Sequence, residues 1–79
     1  MSKPIWTAEK IQQHLQSKVN AIKAVQEDGA NINIPLPSFH TSDKYDVNWE
    51  IGAIENTSHY LPEIIKIIDA LKFEVNLKT

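Results

Sequence analysis

Apolar residues recur along this chain with two different periods, and the switches between them mark out its elements. From Ile11 the spacing is helical: Ile11, Leu15, Val19, Ile22 and Val25 follow one another at intervals of four, four, three and three. At 100° per residue they stay inside an arc of about 120°, a single apolar stripe. Thr7 is placed to cap the start, and Trp6 and Ile11 have the spacing of a hydrophobic staple. Gly29 supplies the stop. One helix is therefore predicted over about residues 8–28, about 30 Å long. A six-residue strand covers about 20 Å, so one end of this helix is expected to overhang the sheet.

The period then changes to two. Over residues 31–36, Ile32, Ile34 and Leu36 alternate with Asn31, Asn33 and Pro35, a strand that Pro35 confines to an edge. Pro37 to Asp43 reads as a loop. Residues 44–51 alternate most strictly, with Tyr45, Val47, Trp49 and Ile51 on one side and Lys44, Asp46, Asn48 and Glu50 on the other. This is the expected central strand. Gly52 ends it. Asn56, Thr57 and Ser58 are candidate caps for a second helix, and Pro62 falls in its first turn if Ser58 is the cap. Leu61, Ile64, Ile65, Ile68 and Leu71 form its apolar face, and Ile67 is left outside. Phe73, Val75 and Leu77 alternate again as a third strand.

The expected architecture is α+β, one domain over residues 1–79: a three-stranded sheet with two helices on one face, in the order helix-strand-strand-helix-strand. Pro35 favours the strand order first-second-third, with third-first-second as the alternative. Residues 1–6 are read as a lead-in. The second sheet face collects Asn31, Asn33, Asp46, Asn48 and Glu50, together with Glu74 and Asn76. It is either a solvated face or a polar binding face of groups that donate and accept hydrogen bonds. A second candidate surface is Ile67 on the second helix, with Tyr60 and Glu63 near it.

Composition narrows the chemistry. Seventy-nine residues, 42% hydrophobic and 23% charged, suit a small globular domain. The net charge is −2 and all eight basic residues are lysine. Arginine, the preferred reader of phosphate and base edges, is missing, so nucleic acid is an unlikely partner on sequence grounds. With no cysteine, disulfides, thiol catalysis and thiolate zinc sites drop out. The sequence has no apolar run near the roughly 18 residues of a membrane span, and a cytoplasmic location is the expectation. His14, His40 and His59 do not pair at metal-ligand spacing. His40 to Asp43 contains residue types used in nucleophilic catalysis, but adjacent loop residues rarely reach the geometry required. Asp43, Asp46, Asn48 and Glu50 lack the glycine and the twelfth-position glutamate of a calcium loop. No catalytic residue, metal or cofactor is expected.

At residues 46–51, Asp-Val-Asn-Trp-Glu-Ile, the chain resembles small uncharacterised bacterial and phage proteins. In those an Asn-Trp pair lies on a strand before a C-terminal helix and strand. The likeness covers residues 43–77 and rests on Asn48 and Trp49. It implies a cytoplasmic, bacterial or phage accessory context and no activity. The expected function is a non-enzymatic protein–protein interaction module that binds or inhibits a host protein, or pairs with itself. The alternative is a small ligand-binding or catalytic domain using the 37–43 loop and the polar sheet face.

Overall fold

The computed structural model describes residues 3–57 and 59–79. Ser58, one of the three expected caps, lies outside them. The described chain is α+β: β1 (Ile5–Trp6), α1 (Ala8–Asn20), α2 (Lys23–Asp28), β2 (Ser38–Phe39), β3 (Trp49–Glu50), α3 (Leu61–Glu74) and β4 (Asn76–Leu77). The strands form two separate pairs, not the expected three-stranded sheet. β1 runs parallel to β4, and β2 runs antiparallel to β3.

The first helix starts as its sequence dictates, with the Thr7 hydroxyl accepting from the Lys10 amide at 3.2 Å. It does not reach residue 28. The Ala21 amide closes the last turn on the Ser17 and Lys18 carbonyls, and Ile22 is extended. The chain then turns into α2. A straight helix would overhang the core, whereas the break keeps Ile22 and Val25 buried in it. Gly29 ends α2 at φ 62°. Its amide bonds the Gln26 carbonyl, and that of Ala30 bonds Val25, as in a Schellman motif.

Residues 31–36 have the expected alternation but not the expected partner. Ile32 and Ile34 are buried, while Asn31 and Asn33 are exposed. The segment is extended, and its inward backbone groups bond side chains of α1. Gln16 donates to the Ile32 carbonyl at 2.7 Å and accepts from the Ile34 amide at 2.8 Å. Gln12 donates to the Ile34 carbonyl at 2.8 Å. A primary amide presents the same donor and acceptor as a peptide unit, so Gln16 stands in for a neighbouring strand. The outward edge is blunted: Asn56 donates to the Asn31 carbonyl, and Pro35 has no N–H. Gln16→Ala should cost about 1–2 kcal/mol, the size of such an unmade pairing. Gln16→Glu, which accepts but cannot donate, should recover part of it. Urea melts of the three proteins check this, and equal midpoints would mean that water serves segment 31–36 as well as Gln16 does.

The central strand shrinks to Trp49–Glu50. Asp43 Oδ1 accepts from the Tyr45 and Val47 amides at 2.8 and 3.2 Å, and Asp46 adopts φ 59°. This turn shifts the phase of the alternation. Tyr45 points to solvent, while Val47, Asn48 and Trp49 are all buried in succession. The hairpin partner of β3 is β2, from within the expected loop, in register Ser38 to Glu50 and Phe39 to Trp49. At the other end, α3 continues through Phe73 and Glu74, so the expected third strand is reduced to Asn76–Leu77. The supposed lead-in is β1, its partner.

Two-residue strand pairs are marginal on their own. Side chains join them. Asn48 donates from Nδ2 to the Leu77 carbonyl at 3.0 Å and accepts the Leu77 amide at Oδ1 at 2.8 Å. The indole of Trp49 donates to the Val75 carbonyl at 3.0 Å. Around this clamp pack Ile11, Leu15 and Val19 of α1 and Ile64, Ile68 and Leu71 of α3.

Candidate interaction surface

The residues expected to share a polar sheet face are dispersed by this fold. Asn31 and Asn33 border a recess of about 280 Å3 with Pro35, Ala53, Glu55 and Asn56. Asp46 sits at the exposed turn. Asn48 is buried and occupied by Leu77, so it belongs to the structural clamp. Glu50 is exposed and lies 3.8 Å from Lys72. The second expected surface is also divided. Tyr60 is buried, and its hydroxyl donates to the Asp28 carboxylate. That bond pushes the phenol above its ordinary value of 10.0 and keeps it a donor. Ile67 is half-buried and lines a different recess with His14, Lys18 and Lys66. Glu63 is exposed on the opposite flank of α3 from Ile65, by helix geometry.

The 37–43 loop uses its polar groups to hold its own shape. The Tyr45 amide, with the Val47 amide and the nearby His40 and Lys3 charges behind it, holds the Asp43 carboxyl below its usual 3.8, against the pull of partial desolvation. The group is therefore ionised at neutral pH and serves as the cap of the turn. His40 Nδ1 bonds the Thr41 carbonyl at 2.8 Å. Among the described residues, no three His, Asp or Glu side chains are grouped to hold a metal ion. Among the same residues, no helix is long and apolar enough to cross a membrane.

What the structure does assemble is a groove along one flank of α3, apolar at its first end and mixed at its second. At its first end a recess of about 340 Å3 is walled by Leu61, Ile65 and Ile68 of the helix and by Ile51, Ala53 and Ile54 of the segment after β3. At its second end a recess of about 210 Å3 is walled by Asp69, Lys72 and Phe73 of the same helix and by His40, Asp43, Tyr45, Val47 and Glu50. The recesses adjoin where Glu50 meets Ile51 and where Ile68 meets Asp69, so they lie end to end. Leu61, Ile65, Asp69 and Phe73 are four residues apart and form one ridge of the helix. Tyr45 and Phe73 meet edge to face at 6.0 Å. Exposure is 42% for Leu61, 45% for Ile65, 59% for Tyr45 and 58% for Phe73.

Leu61 and Ile65 are expected on the buried face of the second helix and are exposed instead. Tyr45 and Phe73 were missed as well, because both sat on strand patterns that a turn and a longer helix replace. Comparison of the chain with protein families, curated proteins and solved structures finds no match.

Proposed function

We propose that this chain is a small non-enzymatic protein–protein interaction module whose contact surface is the groove along α3. The cytoplasmic, bacterial or phage accessory context implied by Asn48-Trp49 belongs to the same reading. The observation that carries it is the ridge of Leu61, Ile65 and Phe73, which leaves large apolar side chains in water beside Ile51, Ile54 and Tyr45. Large apolar side chains gathered on one exposed flank, here with Asp69 between Ile65 and Phe73, mark contact sites. The loop chemistry of the alternative is engaged in the Asp43 turn.

A photoreactive phenylalanine analogue at position 65 tests the reading in the cell that makes the protein. Irradiation should give a defined adduct heavier than the chain, and the same analogue at exposed Glu63 should not. Absence of an adduct at position 65, or identical adducts at both positions, would remove the groove as a contact surface.

A further inference from the structure

Resting on that reading, we infer that the groove's occupant is a second copy of this chain, docked about a two-fold axis with the two α3 helices antiparallel. The face is arranged for this. Its first end is a hollow of about 340 Å3 between Leu61, Ile65 and Ile51. At its second end the exposed rings of Tyr45 and Phe73 stand at the rim of the smaller recess. The hollow is centred near Ile65 and the projection is at Phe73, about 12 Å apart along the helix. A two-fold axis between them carries the rings of each copy over the hollow of the other. That is the condition for an isologous contact, in which one patch is complementary to itself.

The area agrees. With the exposures given above, Tyr45, Leu61, Ile65 and Phe73 leave roughly 400 Å2 of surface in water, taking 150–250 Å2 for a whole aromatic side chain. A standard interface takes about 800 Å2 from each partner, of which about 500 Å2 is apolar. Ile51, Ala53 and Ile54 at the groove wall supply the difference. The charged groups at the second end are Asp43, Glu50 and Asp69 against Lys72, which lies 3.8 Å from Glu50. Asp69, nearest the axis, faces its own counterpart, so the contact is carried by the apolar side chains and works against that one pair. A domain this small also gains from association, because its own core is limited.

Sedimentation equilibrium over a range of concentrations tests the pairing. The wild type should approach twice the 9.0 kDa chain mass and dissociate on dilution. Phe73→Glu and Ile65→Glu should each sediment as a monomer with an unchanged circular dichroism spectrum. Because the chain has no cysteine, Asp69→Cys adds a single thiol near the axis. A short bis-maleimide should link its two copies and should not link those of Glu63→Cys. A wild type that stays at 9.0 kDa throughout, or a dimer that survives both glutamate substitutions, overturns the inference. If the wild type is monomeric yet position 65 photo-crosslinks to a different protein, self-pairing fails and the interaction reading stands. If position 65 gives no adduct and the wild type is monomeric, both fail.

Discussion

Trp49→Ala should lower stability by about 3–5 kcal/mol, the range for deleting a core aromatic. The indole is fully buried, and its Nε1 bonds the Val75 carbonyl at 3.0 Å. Truncation therefore opens a cavity and strands a buried acceptor. A domain of this length has a total stability of roughly 4–12 kcal/mol, so the upper end of the expected loss exceeds the whole stability at the lower bound of that range. Trp49→Phe separates the two contributions. It refills most of the space but cannot donate, and should cost about 1–3 kcal/mol. The measurement is the urea midpoint at constant m-value. A midpoint unchanged in Trp49→Ala would contradict the placement of this ring at the centre of the core.

The second large effect is expected at Asn48. Leu77 turns its amide and carbonyl away from β1 and toward Asn48, while its neighbours Asn76 and Lys78 donate to the Pro4 and Trp6 carbonyls. Asn48 thus supplies one residue's worth of a third strand. Asn48→Ala leaves both Leu77 groups without a partner, at about 1–3 kcal/mol each. Asn48→Leu, close in volume, should be nearly as damaging, because the loss is in hydrogen bonding. Asn48→Asp should also fail, since it cannot donate and buries a charge. Amide hydrogen exchange gives a local readout. Leu77 should be protected in the wild type and should exchange faster in Asn48→Ala than the global loss accounts for. Unchanged protection would show that another group satisfies Leu77.

These two residues also show how far the sequence could be read. The alternation over 44–51 correctly made Trp49 the centre of the core, because a buried indole among β-branched neighbours has few other placements. It misplaced Asn48 on a solvent face, because period alone cannot reveal that a side chain will act as backbone. Asp46 caused the same error for Tyr45: its left-handed conformation, set by the Asp43 carboxylate, shifts the phase of everything before Val47. Helix stripes were more legible. Ile11, Leu15, Val19, Ile64, Ile68 and Leu71 are all buried as their spacing requires. The sheet was the least legible part, because the partner of residues 31–36 is a glutamine side chain and the partner of β4 lies at the opposite end of the described chain. The candidate surface inherited that error. Its polar members depended on a sheet that does not form, and of its helix members Tyr60 is buried and Ile67 half-buried, while Leu61 and Ile65, expected on the buried face, are exposed.

The parallel pairing of β1 with β4 has a mechanical consequence. The chain enters β1 at Pro4 and leaves β4 at Lys78, with Ile5 beside Asn76 and Trp6 beside Leu77. Tension applied before β1 and after β4 pulls two parallel neighbours past each other. The bonds from Asn76 to Pro4 and from Lys78 to Trp6 then share the load in shear and cannot peel apart in sequence. Asn48 and Trp49 grip the other side of the same strand through Leu77 and Val75, anchoring it to the core. Pulled through its two ends, this short parallel pair should resist extension more than its two-residue strands suggest. Pulled between residue 40 and the end of β4, the same domain should yield at lower force, because that direction leaves β1 unloaded.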